Sequence, residues 1–151
     1  MEPMATIHPA AEVRDIMTAH VHTLHLDDSL RTAASLFERE RFHHVVVLER
    51  GRVHGVVSDR DILKAVSPFV GNPMLERPQD ASTLKKRVHQ IMTRKPVTIG
   101  GDQSITAAAD VMLTQRVSCL PVVDDDGKLL GIVTVRDLVG HLAAARIRSE
   151  S

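Results

Sequence analysis

Gly131-Ile132-Val133-Thr134-Val135-Arg136-Asp137 decides the fold, because the chain carries an earlier copy of this stretch, Gly55-Val56-Val57-Ser58-Asp59-Arg60-Asp61. In each copy a short apolar run with β-branched residues predicts a buried strand. A hydroxyl residue ends the run, and a carboxylate three positions later lies in the first turn of a predicted helix. A ligand at this strand-to-helix corner would meet a hydroxyl, a carboxylate and backbone N–H groups together. Two copies therefore predict two sites.

The similarity between the two halves extends beyond these stretches. Val13-Arg14-Asp15-Ile16-Met17-Thr18 returns as Val88-His89-Gln90-Ile91-Met92-Thr93, displaced by 75 positions. The same displacement relates further pairs: Thr23 and Thr98, Asp27 and Asp102, Ser29 and Ser104, Arg41 and Arg116, Val47 and Val122. After Val47 the displacement becomes 76, because the second copy has one extra residue at a predicted hairpin tip. This internal duplication is the strongest signal in the sequence.

Each repeat is predicted to form a turn, a short strand, a helix, a hairpin and a second helix. Asp27-Asp28-Ser29 and Asp102-Gln103-Ser104 supply N-cap oxygens for the helix that precedes each hairpin. The predicted hairpin strands are residues 44–48, 53–57, 120–123 and 129–133, and the last helix is predicted from Asp137 to about Arg148. The sequence therefore predicts a mixed α/β (α+β) fold.

Five segments are expected along the chain: an N-terminal arm (1–10), a first repeat (11–66), a linker (67–87), a second repeat (88–147) and a C-terminal tail (148–151). The linker contains three prolines between Ser67 and Ser82 and is predicted to be irregular, with a short basic helical turn at its end. A repeat of about 60 residues would not form a robust core alone. We therefore expect the repeats to pack sheet against sheet about a pseudo-twofold axis.

Composition argues against several classes of protein. Lysine plus arginine and aspartate plus glutamate each number 19, so no global basic field favours nucleic acid or an anionic membrane. Tyr and Trp are absent, which leaves little for base-stacking platforms. A single cysteine, Cys119, rules out an intrachain disulfide. The N-terminus has no leader pattern, and no apolar run approaches about 18 residues, so a cytoplasmic protein is expected.

The ordered pattern resembles a pair of CBS domains, the modules named after cystathionine β-synthase, in the tandem arrangement called a Bateman module. The residues that carry the resemblance are Ile16-Met17-Thr18, Ile91-Met92-Thr93, Leu120-Pro121-Val122-Val123-Asp124 and the two Gly-x-x-[Ser/Thr]-x-x-Asp stretches. The resemblance covers residues 11–66 and 88–147 and leaves no catalytic domain. It implies a non-catalytic regulatory module that binds AMP, ADP, ATP, NAD or S-adenosylmethionine in clefts between the repeats, AMP foremost. It also implies a homodimer, with an unidentified protein partner that senses a conformational shift.

The resemblance also implies which residues contact the ligand. The Ser58 and Thr134 hydroxyls would contact ribose or phosphate. The Asp61 and Asp137 carboxylates would accept hydrogen bonds from the ribose hydroxyls, and hydrogen bonds to a charged acceptor are the stronger kind. The remaining expected contacts are Val21, His22, Lys95, Pro96 and Val97 near adenine, His43, His44, Ser118 and Cys119 near phosphate, and Arg60, Arg136 and Pro121.

The two copies are not expected to be equivalent. Asp59 adds a negative charge beside the phosphate route of copy one, so Thr134 with Asp137 is the favoured pair and Ser58 with Asp61 the pair expected to have diverged. His43 and His44 would supply the phosphate end of the copy-two site.

Structural alternatives compete with each of these interpretations. Both Ser/Thr-x-x-Asp patterns also match a capping box, and capping can coexist with ligand contact. Nine histidines suggest a metal site, but His43 and His44 are adjacent strand residues that face opposite ways, so none is predicted. Cys119 is predicted to be a small buried hydrophobe.

Two alternative functions remain. One is a nucleotide-independent interaction module. The other is nucleic-acid binding through Lys85-Lys86-Arg87, which the neutral net charge disfavours.

Overall fold

A computed structural model describes the backbone of residues 11–150 and the side chains of residues 11–145. The predicted arm, residues 1–10, and the last residue of the predicted tail, Ser151, lie outside the described residues. The chain divides into two compact units. The central unit is His22–Pro96, and the split unit combines the residues up to Val21 with those from Val97 onward.

The mixed α+β fold predicted from the sequence is confirmed. The elements in chain order are α1 (Val13–Ile16), β1 (Thr18–Ala19), β2 (Thr23–His25), α2 (Leu30–Arg39), β3 (His44–Glu49), β4 (Arg52–Ser58), α3 (Asp59–Ala65), α4 (Pro78–Ser82), β5 (Thr93–Arg94), β6 (Ile99–Gly100), α5 (Ile105–Gln115), β7 (Cys119–Val123), β8 (Leu129–Thr134) and α6 (Val135–Glu150). Short 3-10 turns occupy Thr83–Lys85 and Val88–Gln90.

The central unit contains a four-stranded sheet in the order β2-β3-β4-β5. Strand β2 runs parallel to β3, and β3 and β4 form the predicted antiparallel hairpin. Helix α2 begins at Ser29, whose Oγ accepts from the Thr32 N–H at 3.2 Å, as the sequence predicts for its N-cap. Leu30, Ala33 and Leu36 of α2 pack on the strand residues of the sheet, which forms the core of this unit.

The split unit repeats this architecture. Its four-stranded sheet has the order β1-β8-β7-β6, the same order as the central sheet when β6, β7, β8 and β1 are equated with β2, β3, β4 and β5. Helix α5 begins at Ser104, whose Oγ accepts from the Ala107 N–H at 3.0 Å. Ala108 and Met112 of α5 and Leu138 of α6 are buried in the core of this unit.

Each sheet is completed by the opening strand of the other sequence repeat. Thr18 and Ala19 of β1 pair with Ile132 and Gly131 of β8. In the same way β5 of the second repeat pairs with β4 of the first. The duplicated segments of the sequence and the compact units of the fold therefore have different boundaries, which the sequence analysis did not foresee.

The glycines that open the two duplicated stretches permit this pairing. A Cβ at Gly131 would collide with the Thr18 carbonyl oxygen and lie 3.0 Å from Met17 Sδ. A Cβ at Gly55 would collide with Met92 Sδ and lie 2.9 Å from the Thr93 carbonyl oxygen. Glycine is needed at both positions because another strand passes directly over the backbone.

Two expectations about the segments outside the hairpins are corrected. The turn predicted to open the first repeat is the short helix α1, which is followed by β1. The linker predicted to be irregular contains α4, which begins with Pro78. Proline has no backbone N–H, and it is tolerated here because the first N–H of a helix has no acceptor within the helix. The predicted basic turn at residues 83–87 is a 3-10 turn over Thr83–Lys85.

Asp80 holds α4 in place. Its Oδ2 accepts from the Arg77 backbone N–H at 2.8 Å, and its Oδ1 accepts from the Ser67 hydroxyl at 2.8 Å. These two hydrogen bonds lower the pKa of the Asp80 carboxyl, and the residue is only 6% exposed. The buried Asp80 carboxylate therefore connects the start of α4 to Ser67 at the beginning of the linker.

Candidate ligand site at the strand-to-helix corners

The corner of the split unit joins β8 to α6 and brings Thr134 and Asp137 together. Asp137 Oδ2 accepts from the Thr134 backbone N–H at 2.8 Å and from the Thr134 hydroxyl at 3.1 Å. The Asp137 N–H donates to Thr134 Oγ1 at 3.3 Å. Both residues are half-buried, and Asp137 Oδ1 accepts nothing from the part of the chain that the structure describes. One carboxylate oxygen therefore fixes the helix start while the other is available.

The corner of the central unit joins β4 to α3 and has the same geometry. Asp61 Oδ2 accepts from the Ser58 N–H at 2.8 Å, and the Asp61 N–H donates to Ser58 Oγ at 3.1 Å. These are the two bonds of a capping box. The capping interpretation is thus correct for both corners. Because a carboxylate has about four acceptor positions, capping and ligand contact can coexist.

The residue before the first hairpin strand lies beside each corner. The His43 carbonyl oxygen accepts from the Asp59 N–H, and the Ser118 carbonyl oxygen accepts from the Val135 N–H, both at 3.0 Å. His43 and Ser118 therefore occupy equivalent positions, and the first residue of the helix is held against them. Cys119 pairs with Thr134, and His44 pairs with Ser58, across the two hairpins.

Asp59, the additional acid expected in copy one, is paired with His43. Its Oδ2 lies 2.9 Å from His43 Nδ1, and the hydrogen bond with His43 is the main cause that lowers the pKa of the Asp59 carboxyl. Burial lowers the pKa of His44, against the opposing effect of Asp59. The corner of the central unit thus carries a histidine–aspartate pair where the split unit has Ser118 and Val135.

Two of the expected contact residues, His22 and Lys95, contact residues other than Ser58 and Asp61. His22 packs on the Phe42 ring, with the ring centroids 5.7 Å apart, and its Nε2 lies 3.6 Å from Glu40 Oε1 at the end of α2. The Lys95 N–H donates to the His54 carbonyl oxygen at 3.3 Å, four residues before Ser58 on β4.

The other expected residues differ in exposure. Pro121 is fully buried in the middle of β7, where it pairs with Ile132. Arg60 and Arg136 are exposed on the first turns of α3 and α6, and neither pairs with an acid among the described side chains. Val21 and Pro96 are half-buried, and Val97 packs against the core of the split unit.

His20 was considered only among the histidines of a possible metal site and was not among the expected ligand contacts. His20 and Lys95 are equivalent in the duplication, and both adopt the left-handed conformation, with φ of 54° and 48°. Such a conformation is uncommon for residues other than glycine and persists where the surrounding structure imposes it. The available signal was their shared position, two residues after Thr18 and Thr93.

Cys119 is buried, as predicted, and burial raises the pKa of its thiol to about 11. Among the described residues, no group of three or more His, Cys, Asp or Glu side chains is placed to hold a metal ion. None of the helices in this part of the chain combines the length and the apolar character of a membrane-spanning segment.

Comparison with known proteins agrees with this architecture. The chain matches the CBS domain family at residues 13–68 and 88–144. A CBS domain-containing protein of Dictyostelium discoideum is 31% identical over 134 residues, which cover 86% of this chain and 90% of the relative.

Two solved structures have the same fold. CBSX2 in complex with AMP is 30% identical, with a TM-score of 0.72 over 91% of this chain and 98% of that one. The CBS domain pair of protein MJ0100, in complex with 5′-methylthioadenosine and S-adenosyl-L-methionine, is 27% identical, with a TM-score of 0.71 over 87% of this chain and 99% of that one. The chain belongs to the CBS domain family and carries two CBS domains in tandem.

Proposed function

We propose that this chain is a non-catalytic regulatory module of the cytoplasm that binds an adenosine-containing ligand, AMP foremost, at its strand-to-helix corners. The observation that carries the proposal is the duplicated corner, where a hydroxyl and a carboxylate meet in each unit. Thr134 with Asp137 is the favoured pair, because the central corner carries a second carboxylate, Asp59, at the position where the split unit has Val135. Two adjacent ribose hydroxyls would donate to the Asp137 carboxylate, which is a charge-assisted arrangement.

The choice of ligand class is supported by the related structures. One holds AMP, and the other holds 5′-methylthioadenosine and S-adenosyl-L-methionine. These ligands share adenine and ribose and differ in the group on the 5′ carbon. A carboxylate that recognises ribose would serve all of them, so the group on the 5′ carbon would decide which ligand this chain prefers.

The output would be a shift between conformations. A ligand changes such an equilibrium only through its different affinities for the two states. We propose that ligand bound at a corner favours one state, and that a partner protein binds that state.

The test is a thermal-shift and calorimetry panel with AMP, ADP, ATP, NAD and S-adenosylmethionine, and with GMP as the control that lacks adenine. A ligand present at 100 times its dissociation constant is expected to stabilise the fold by about 2.7 kcal/mol. AMP is expected to give the largest shift and GMP little. If no member of the panel shifts the transition at millimolar concentration, the proposal is wrong.

A second candidate is a protein-interaction module that acts without nucleotide. It is favoured by exposed apolar side chains on two helices, since Leu63 of α3 is 78% exposed and Val139 and Leu142 of α6 are 58% and 66% exposed. Capture of the same partner with and without AMP would distinguish this candidate, because the regulatory proposal requires the amount captured to change.

A further inference from the structure

The central unit contains a cavity of about 460 Å³ beside α2, and this cavity does not include Ser58 or Asp61. One wall is formed by residues 22–24, and the other by the α2 face that carries Arg31, Ser35 and Arg39. Residues four apart share one face of a helix, so these three side chains form a row along the cavity. The cavity is open to solvent along the exposed side chains of this row, and its volume is within the range of small-molecule sites.

Positive charge dominates the lining of this cavity. Arg31 forms no ion pair with any described residue, and Arg39 Nε has Glu40 Oε1 at 3.8 Å. The one acid in the lining, Asp28, already accepts from the His25 backbone N–H at 2.7 Å. The two guanidinium groups and the Ser35 hydroxyl, on the same helix face, are therefore available as donors to one ligand.

The second copy of the duplication shows that the fold does not need these cations. A displacement of 75 places Val97, Thr106 and Thr114 where the first copy has His22, Arg31 and Arg39. The core positions of the two helices remain apolar, as Ala33 and Ala108 illustrate. Because both copies form the same sheet and helix, the cationic row is a separate feature of the first copy.

We propose that this cavity binds a small phosphorylated anion, with Arg31 and Arg39 as its phosphate-binding residues. The planar guanidinium group presents paired donors that match phosphate oxygens. Eight residues of helix separate the two arginine backbones by about 12 Å, so a ligand with two linked phosphates fits the row better than a single phosphate does. This inference concerns a site that contains neither Ser58 nor Asp61, although it shares His22 with the expected adenine contacts, and it does not depend on the proposed function.

The first test is calorimetric titration of the full chain with inorganic pyrophosphate at low salt. Saturable binding with one site per chain is expected, and Arg31→Gln with Arg39→Gln is expected to weaken it by about tenfold or more, the effect of losing charged hydrogen bonds. The matched control is Arg50→Gln with Arg52→Gln, which removes the same charge from the exposed hairpin tip and should leave the affinity unchanged. Circular dichroism checks that both double variants are folded.

The second test uses the acid at the end of the row. Glu40 competes for Arg39, so Glu40→Gln is expected to strengthen pyrophosphate binding about two- to fivefold. Glu38→Gln, on the same helix but outside the cavity lining, should have no effect. Absence of saturable binding would overturn the proposal, as would an equal loss in both double arginine variants. Equal affinity for citrate would overturn the assignment to phosphate.

Discussion

Asp61 and Asp137 each stabilise a helix start, and this double role governs how their variants must be interpreted. A capping interaction contributes about 1 kcal/mol, so an alanine variant would lose stability as well as any ligand contact. Asparagine keeps an acceptor oxygen for the N–H of Ser58 or Thr134 but loses the charge. The asparagine variants therefore separate ligand binding from folding.

A prediction at the residue scale concerns Cys119, whose thiol pKa is raised by burial from 9.0 to about 11. At pH 8 only about one molecule in a thousand would carry the reactive thiolate. Native protein is therefore expected to react with a thiol reagent at least about a hundredfold more slowly than protein unfolded in urea. Rapid stoichiometric labelling of the native state would contradict the buried position.

The raised pKa of the Cys119 thiol also predicts that stability falls as the pH becomes alkaline. The folded state keeps the Cys119 proton to a higher pH than the unfolded state does. Its contribution to stability is therefore fully present below about pH 9 and is lost as the pH rises to about 11. Urea denaturation across this range should show the decline in the wild type, and Cys119→Ala should lack this component.

At the scale of elements, the fold depends on two-residue strands that complete each sheet. Strand β1 passes over Gly131, and β5 passes over Gly55. Both contacts leave no room for a side chain. The glycine that opens each duplicated stretch is thus explained by a strand from a distant part of the chain.

Gly131→Ala is expected to lower the free energy of unfolding by about 1–3 kcal/mol, because its methyl group would collide with the Thr18 backbone. The matched control is Gly140→Ala in α6, where nothing lies within 4 Å of the added Cβ. This control should raise stability by about 0.5–1 kcal/mol, as expected in a helix interior. Urea denaturation measures both, and equal effects of the two substitutions would contradict the β1–β8 pairing.

The elements that could be predicted from the sequence are those whose apolar residues recur with the period of a helix or a strand. The hairpins and α2 and α5 follow from apolar spacing and from the caps at Ser29 and Ser104. A two-residue strand has no alternation to detect, so the pairing of β1 with β8 could not be predicted. Helix α4 was missed because the three prolines of the linker suggested irregular structure, although Pro78 at the start of the helix and Asp80, which accepts from the Arg77 N–H, are local start signals.

Prediction of the site was limited in the same way: pairs that are close in the sequence could be recognised, and contacts between distant residues could not. Ser58 with Asp61 and Thr134 with Asp137 are three residues apart, so the sequence alone was enough to pair them. The position of His22 beside Phe42 depends on tertiary packing. The ligand roles given to His22 and Lys95 by resemblance stay predictions.

At the scale of the whole molecule, exposed apolar residues recur at equivalent positions. Leu63 of α3 and Val139 of α6 are related by the displacement of 76 and are 78% and 58% exposed. We expect these helices to form the interface of the homodimer that the sequence resemblance implies. Leu63→Lys with Val139→Lys should convert a dimer to a monomer in sedimentation experiments.

Met74→Lys is the control for that substitution, since Met74 is 88% exposed in the linker and should not affect assembly. A wild-type chain that sediments as a monomer at high concentration would contradict the dimer. A dimer that persists in the double lysine variant would place the interface elsewhere.

The most direct test of the central claim is calorimetric titration of AMP into the wild type, Asp137→Asn and Asp110→Asn. Asp110 is exposed on α5, so its variant is a control for the change in charge. Asp137→Asn is expected to keep its stability within about 0.5 kcal/mol and to bind AMP about tenfold or more weakly, while Asp110→Asn binds as the wild type does. Wild-type affinity in a folded Asp137→Asn variant would contradict the claim that this carboxylate holds the ligand.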